Sequence, residues 1–336
     1  MIRKHIVVAL ITAFILATLA VAPAARAQRA SKDASRANYP DKPLRIVVPF
    51  SAGGSADIFA RAIGQKMTEH WNQQVVIDNR AGSGGVIGSE IAARAAPDGY
   101  TLMMGITANI AINPALYRTL PYSPVRDFTP VTLVASSPYV MVVPPSLPVK
   151  TAQDFIALAQ ARPGHLNYAS LGNGSAGHLT GALFAAMAGI KLTHVPYKLV
   201  GSVLTDLMSG QLQLFFLGAV SAQAQIKGGR LRAIGVTGSQ RSALLPDVPT
   251  VAEAGVRGYE VTGWYGVFVP ARTPPAIVNK LNREIVRVLK LPDVSERFTA
   301  EGADLVGNTP DEFAAFITSE IAKWSKVVKL SGARED

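Results

Sequence analysis

Residues 166–189 read LNYASLGNGSAGHLTGALFAAMAG, which places a glycine-rich loop between a strand-like run and a helix-like run. A second unit of this kind lies near the start of the chain, where LRIVVP at 44–49 precedes the loop FSAGGSAD at 50–57 and a helical pattern. Open α/β sheets bind ligands where the carboxyl end of a strand meets the start of a helix. The two units therefore predict two lobes, each offering a helix N-terminus to a ligand.

The rest of the chain alternates between short apolar runs and amphipathic runs of helical length. The pattern predicts strands at 44–49, 74–78, 101–105, 139–143, 166–170, 192–195, 214–217, 231–236 and 264–269. It predicts helices at 56–70, 87–96, 151–161, 177–188, 202–209, 221–227, 275–290 and 310–330. Thr151 and Thr309 are each followed three residues later by an acid, which is typical of a capped helix start. Such alternation indicates an α/β fold with mostly parallel sheets.

The composition excludes several classes of protein. The chain has 336 residues, 49% of them hydrophobic and 17% charged, which is enough for two domains. Its net charge of +10 is scattered, without the basic stripe of a nucleic-acid binder. The absence of cysteine excludes thiol catalysis, disulfides and zinc–thiolate sites. The five histidines, at 5, 70, 165, 178 and 194, lack metal-ligand spacing, so we expect no metal site.

The N-terminus has the three parts of a secretory signal peptide. Arg3 and Lys4 are basic, residues 6–22 are apolar, and Ala25-Arg26-Ala27 is a small-x-small cleavage site. We expect a signal peptide at 1–27, cut after Ala27, and a flexible polar leader at 28–38. The expected location is the periplasm.

The run from Gly172 to Gly177 matches the G-x-G-x-x-G fingerprint of dinucleotide-binding proteins. That fingerprint needs an acid about 20 residues further on for the ribose hydroxyls. No Asp or Glu occurs between His178 and Thr205, and export would remove the chain from soluble nicotinamide cofactors. We therefore expect no cofactor and interpret the loop as better suited to a small carboxylate.

Helix N-termini carry unpaired N–H groups and a partial positive charge, which attract anions. Ser51, Ser55, Asn173 and Ser175 add side-chain hydrogen-bonding groups to the two loops. One such loop is more often a tight turn, but two in matching positions favour an anion site. Asp57, in the first helical turn, is expected to cap backbone N–H groups; contact with a ligand amino group is the alternative.

A serine hydrolase is a rival interpretation. Ser175 lies on a strand-to-helix turn, but the nucleophile elbow needs glycine on both sides of the serine, and Asn173 stands two residues before it. His178 follows without an acid to orient it. Catalysis by this pair is therefore disfavoured, and measuring turnover would separate an enzyme from a receptor. A receptor that presents its ligand to a sensor kinase is a third possibility.

Several ordered blocks carry a family resemblance. They include YPDKPLRIVVPFSAGGSADIFAR, VVIDNRAGSGGVIGSE, AAPDGYTL, LNYASLGNGSAGHL, HVPYK, PDVPTVAEAG and GWYGVFVPA. The chain resembles the substrate-binding proteins of tripartite tricarboxylate transporters, often called the Bug family, from about residue 39 to residue 332.

The resemblance implies a two-lobed type II periplasmic binding protein fold with a ligand cleft between the lobes. Lobe 1 would comprise residues 39–140 and 265–336, and lobe 2 residues 141–264. The implied protein is a monomer that binds a small carboxylate and delivers it to the membrane subunits of the transporter. It is not an enzyme and binds no nucleic acid.

Residues at matching positions are the expected ligand contacts. The family holds a carboxylate mainly with loop amides, hydroxyls and bridging waters. The expected residues are Phe50, Ser51, Ala52, Gly53, Gly54, Ser55, Asp57, Thr107, Ala108, Asn109, Ser170, Gly172, Asn173, Gly174, Ser175, His178 and Tyr197.

The chain departs from the family pattern at two places. Leu199 stands where glycine is common, and Phe216-Leu217-Gly218 lacks a polar residue often found after that strand. We expect both near the cleft wall of lobe 2, where an apolar wall would favour an aromatic or branched carboxylate over citrate. We also expect a bulky residue at Gly174 to abolish binding without unfolding, by blocking its N–H group.

Overall fold

The computed structural model describes residues 39–300 and 302–334. The expected signal peptide and leader lie outside the described residues. The strands are β1 Leu44–Val48, β2 Val75–Asn79, β3 Thr101–Ile106, β4 Phe128–Val143, β5 Asn167–Ser170, β6 Thr193–Pro196, β7 Leu214–Gly218, β8 Arg232–Val236, β9 Thr262–Pro270 and β10 Asp304–Leu305. The longer helices are α1 Ser55–Trp71, α2 Val86–Ala93, α3 Ala152–Ala161, α4 Ala176–Ala188, α5 Val200–Met208, α6 Ala219–Lys227, α7 Pro275–Leu289, α8 Pro292–Ala300 and α9 Pro310–Ser331. Short helical turns occupy Ser83–Gly85, Ala108–Ile112, Asn113–Leu116 and Pro124–Asp127.

The strands form a curled mixed sheet in the order β2-β1-β3-β9-β4-β7-β5-β6, with β8 and β10 also paired to β4. In the first half, β1 pairs in parallel with β2 and β3, and β9 runs antiparallel to β3. In the second half, β5 pairs in parallel with β6 and β7. Ile46, Val47 and Val48 of β1 are completely buried, as expected for a strand covered on both faces.

Strand β4 belongs to both halves. Its first part, residues 128–138, pairs with β9, and its last part, residues 139–143, pairs with β7 and β8. Only 139–143 was predicted as strand, because Pro130 and Pro138 weaken the strand pattern before it. Irregular register beside β9, between Pro130 and Thr132 and between Leu133 and Ala135, accommodates this sequence.

The expectation of mostly parallel sheets was too simple. The βαβ units are parallel, but every pairing of β4 and β9 is antiparallel. Parallel neighbours need a crossover helix, and these two long strands join the halves without one. Helix α8 and the short strand β10 were not predicted.

One hydrophobic cluster extends through both halves. It contains Met103 and Trp264 from the first half and Tyr168, Phe184 and Leu214 from the second. A smaller cluster packs around Val140, Phe215 and Leu217 in the second half alone. In the described residues, no helix has the length and apolar character needed to cross a membrane.

Candidate functional site

The loop before α1 is exposed from Ser51 to Ser55. Helix α1 begins after Gly54, and no side chain in the described part of the chain caps it. Two hydrogen bonds fix the loop. Asn79 Nδ2 donates to the Phe50 carbonyl at 3.1 Å, and Gly53 N donates to Asp57 Oδ2 at 2.8 Å. The start of the helix is therefore preceded by an exposed loop whose backbone is fixed by these bonds: Ser51, Ala52, Gly53 and Gly54.

Asp57 is buried below this loop, with 2% of its surface exposed. Its Oδ2 accepts from Gly53 N and from Arg61 Nε, the latter at 2.9 Å, while its buried Oδ1 has no hydrogen-bond partner among the described residues. Burial acts to raise the pKa of Asp57, but the hydrogen bonds from Arg61 and Gly53 prevail and lower it. Asp57 thus satisfies the N–H group of Gly53, the residue before the N-cap, and not one of the first N–H groups of the helix that it was expected to cap.

The segment 107–109 lies beside the first loop. Thr107 Oγ1 accepts from Trp264 N at 3.1 Å, and Asn109 Oδ1 accepts from Ile106 N at 2.8 Å. Asn109 Nδ2 donates to Ser89 Oγ at 2.8 Å. Thr107 and Asn109 are buried, so these polar side chains hold the strand ends together; Ala108 between them is half-buried.

The glycine-rich run at 82–88, GSGGVIG, packs against both the first loop and the segment 107–109. A Cβ on Gly85 would lie 2.7 Å from Phe50 Cζ and 3.1 Å from Asn109 Cβ. Gly85 has φ +91°, and so this close approach suits glycine alone. Its run of glycines was the available sequence signal.

The second loop, at residues 171–175, is fixed by its own glycine conformations and by hydrogen bonds to neighbouring residues of the chain. Gly172 and Gly174 have φ of +116° and +68°, which L side chains rarely adopt. Ser175 caps α4 by accepting from His178 N at 3.3 Å, and its hydroxyl donates to the Gly172 carbonyl at 2.7 Å. The exposed Asn173 lies at the tip.

The Gly174 N–H group is not free, because it donates to His178 Nδ1 at 3.0 Å. A Cβ on Gly174 would lie 2.2 Å from Leu116 Cδ2, in a helical turn of the first half. The two halves therefore touch at this loop. A bulky residue here would act through the clash with Leu116 and through backbone strain, which corrects the expected mechanism of blocked N–H access.

Two histidines stack beneath the second loop. The rings of His178 and His194 lie 3.9 Å apart with 20° between their planes, and His194 Nε2 is 2.6 Å from the buried Ser170 Oγ. Burial lowers the pKa of His178, and burial together with His178 lowers the pKa of His194 to about 4. Both rings are neutral at pH 7. His178 Nδ1 accepts from Gly174, which leaves its proton on Nε2.

The sequence did not identify His194 as a site residue, because its contact with Ser170 depends on the pairing of β5 with β6. It stands opposite Tyr168 in the β5–β6 register, close to Ser170. Tyr197, by contrast, was expected to contact ligand, but its hydroxyl donates to Asp206 Oδ2 at 2.6 Å. This hydrogen bond, aided by burial, raises the pKa of Tyr197 to about 12.

A cavity of about 70 Å³ lies where α1, α6 and α8 meet the long strands β4 and β9. Its lining includes Ser55, Phe59, Tyr139, Gly218, Tyr265 and Phe298. Of these residues, only Ser55 was expected to contact ligand. The block GWYGVFVPA contains Tyr265, but nothing in its local pattern indicates a cavity.

Of the residues expected to form an apolar cleft wall, Leu199, Phe216, Leu217 and Gly218, only Gly218 lines the cavity. Phe216 and Leu217 are buried in the two separate hydrophobic clusters, because alternate residues of β7 point to opposite faces. Gly218, at the end of that strand, does line the cavity, whereas Leu199 is 68% exposed.

Ser175 and His178 do not form a nucleophile–base pair. Ser175 Oγ contacts the backbone N of His178, and the ring Nδ1 accepts from Gly174. No group of three or more His, Asp or Glu side chains able to hold a metal ion occurs in the described residues.

The fold and these loops define a two-lobed periplasmic solute-binding protein. The chain belongs to the tripartite tricarboxylate transporter family receptors, TctC, whose family model matches residues 59–333. It is 40% identical over 316 residues to a UPF0065 protein in the tcbD-tcbE intergenic region of Pseudomonas sp. strain P51, which covers 94% of this chain and 93% of that protein. It is 37% identical over 297 residues to Protein BugT of Bordetella pertussis, covering 88% and 91% of the two chains.

Solved structures agree with this assignment. R. palustris Rpa4515 with adipate has a TM-score of 0.80 and 38% identity, covering 88% of this chain and 99% of that one. MatC from Rhodopseudomonas palustris with bound malate has a TM-score of 0.76 and 34% identity, covering 86% and 100%. The periplasmic binding protein BugD has a TM-score of 0.76 and 31% identity, covering 89% and 100%. The predicted family, the α/β fold class of a two-lobed binding protein and the non-enzymatic nature are thereby confirmed, except for the expectation of mostly parallel sheets.

Proposed function

We propose that this protein captures a small carboxylate in a cleft between its lobes and delivers it to the membrane subunits of a tripartite tricarboxylate-type transporter. Lobe 1 comprises residues 39–140 and 265–336, and lobe 2 residues 141–264. The signal peptide at 1–27 directs the chain to the periplasm, where it acts as a monomer. The adipate and malate complexes of its structural neighbours support a carboxylate ligand.

The start of α1 carries the proposal. Its N-cap is Gly54, no side chain of residues 39–300 or 302–334 satisfies the first free N–H groups, and Ser51 and Ser55 are exposed beside them. A carboxylate at this point would accept those N–H groups and gain from the helix dipole. Phe50 and Asp57 hold the loop, and Thr107, Ala108 and Asn109 support it.

The second loop contributes the opposite side of the cleft. Ser170, Gly172, Asn173, Gly174 and Ser175 shape it, and its contact with Leu116 brings it against the first half. His178 offers its Nε2 proton as a hydrogen-bond donor. We retain Tyr197 as a positioning residue, since its N–H donates to the Ser170 carbonyl at 2.9 Å.

Native mass spectrometry of the gently purified protein tests ligand capture. A small carboxylate that is released intact on denaturation would support the receptor, and titration calorimetry would then give its affinity. Ser55→Ala should weaken binding roughly tenfold, in line with one lost hydrogen bond to a charged group. Ser319→Ala, at an exposed serine in α9, is the matched control. Failure of every mono-, di- and tricarboxylate to bind would refute the proposal.

Delivery needs a separate test in cells. A strain that lacks this protein should lose uptake of the identified carboxylate, and the wild-type chain should restore it. Normal uptake combined with a lost transcriptional response to the carboxylate would instead indicate presentation to a sensor kinase.

A further inference from the structure

The cavity beside the start of α1 has an aromatic wall. The ring of Phe59 lies 4.5 Å from that of Phe298 and 4.9 Å from that of Tyr265, measured between centroids. Phe59 and Phe298 are 4% and 1% exposed. Ser55, at the mouth of this cavity, also belongs to the loop proposed to hold the carboxylate. We call the cavity the aromatic chamber.

The hydroxyls that line the aromatic chamber differ in their partners among the described residues. Ser137 Oγ donates to the Gly302 carbonyl at 3.0 Å, and Ser55 lies close enough to Tyr265 to lower the pKa of its hydroxyl against the effect of burial. The hydroxyl of Tyr139 has no hydrogen bond to any described residue, although its ring lines the chamber. Tyr139 is half-buried, so its hydroxyl is open to a hydrogen-bonding partner that enters the chamber. An occupant with a polar atom at this point would supply that partner.

The aromatic chamber disfavours a second charge. No Lys, Arg, His, Asp or Glu is among the described residues that line it. Burial raises the pKa of both Tyr139 and Tyr265, which shows that these surroundings penalise a negative charge. A carboxylate placed there would meet the same penalty without a cation to offset it.

The size of the aromatic chamber limits the occupant further. At about 70 Å³ it has roughly half the volume of the ~150 Å³ cavity known to hold a benzene ring. A ring is therefore too large, whereas an aliphatic chain of a few carbons fits.

We propose that the aromatic chamber takes the tail of a short aliphatic monocarboxylate that bears a neutral oxygen, a keto or hydroxyl group, within hydrogen-bonding reach of Tyr139. The carboxylate itself lies at the start of α1, so the inference rests on the proposed function. This assignment names the ligand class of the cleft and replaces the aromatic or branched carboxylate expected from the sequence.

Calorimetry with four probes tests the ligand class. We expect 4-oxopentanoate to bind at least tenfold more tightly than glutarate and benzoate, and several-fold more tightly than pentanoate. Tyr139→Phe should remove the preference for 4-oxopentanoate over pentanoate and leave pentanoate affinity unchanged. Tighter binding of glutarate or benzoate than of 4-oxopentanoate would overturn the inference and leave the receptor function standing. If no carboxylate binds, it is the receptor function that fails.

A filling variant tests the location. Gly218 has φ −55°, and a Cβ there would meet no atom within 4 Å, so Gly218→Val introduces bulk into the aromatic chamber without backbone strain. It should weaken 4-oxopentanoate binding at least tenfold with little change in Tm. Gly201→Val, at an exposed glycine of α5 that also has open space, is the control and should bind as wild type. Wild-type affinity in the folded Gly218→Val variant would place the tail elsewhere.

Discussion

The sequence indicates that Gly174 is needed in the second loop, but it does not show the two contacts that make glycine necessary there. Its motif pointed to a ligand loop, but its N–H group is engaged by His178 and its α-carbon faces Leu116. Neither contact is visible in the local sequence, because the first depends on the ring orientation and the second on the approach of the two halves.

We expect Gly174→Ala to destabilise the fold for two separable reasons. Its φ of +68° costs an L residue about 1–2 kcal/mol, and the clash with Leu116 adds a similar amount. The double variant Gly174→Ala/Leu116→Ala should recover the clash part, measured against Leu116→Ala alone in denaturant titrations. Strict additivity of the two changes would contradict this contact.

The stacked histidines predict a dependence of stability on pH. The pKa of His194 is lowered from 6.5 to about 4 in the folded protein, so protonation favours the unfolded chain. The stabilisation is complete above pH ~6.5 and is lost as the pH falls toward ~4. The titratable groups beside it are His178 and Tyr168.

Melting temperatures measured from pH 7 to pH 4 test this expectation. His194→Gln, which keeps a nitrogen near Ser170, should flatten the decline. His165→Gln changes an exposed histidine and should follow the wild-type curve. An equal decline in all three proteins would show that His194 does not carry the effect.

At the scale of elements, local signals predicted the helix starts well. The capping boxes of Thr151 with Asp154 and of Thr309 with Glu312 are both present. These interactions lie within one turn, and the sequence alone therefore determines them. The first part of β4 escaped prediction, since its two prolines are tolerated only through irregular pairing with β9, a partner more than a hundred residues away.

Removal of the N-cap of α9 should lower the stability of the protein slightly. Thr309→Ala deletes the hydroxyl that accepts from Glu312 N at 3.3 Å, and should lower stability by about 1 kcal/mol. Thr318→Ala, at an exposed threonine within the same helix, is the control and should change stability less. Thermal unfolding of the two variants side by side measures the difference, and equal losses would argue against the cap.

At the scale of the whole molecule, one buried carboxylate joins α9 to β9. Glu320 Oε2 accepts from the indole Nε1 of Trp264 at 2.8 Å and from that of Trp324 at 3.0 Å, and Lys323 pairs with its other oxygen. Both indoles are completely buried. The sequence contains these residues but does not show that two tryptophans from distant segments share one acid.

Glu320→Ala should leave two indole N–H groups without acceptors and cost about 2–4 kcal/mol. Urea titration monitored by tryptophan fluorescence measures the loss. Glu296→Ala, at an exposed acid of α8, controls for the change in net charge. A loss below 1 kcal/mol for Glu320→Ala would mean that the indoles find other partners.

The position of β9 in the chain has a consequence for biosynthesis. Met103 of β3 pairs with Phe268 of β9, and Thr129 of β4 pairs with Val269 of β9. Both β3 and β4 are therefore synthesised more than a hundred residues before their partner strand. Non-local pairing of this kind slows folding. During synthesis, the edges of β3 and β4 that pair with β9 have no partner until nearly four-fifths of the protein has been made, and a nascent chain arrested before residue 262 lacks the strand that lies between them.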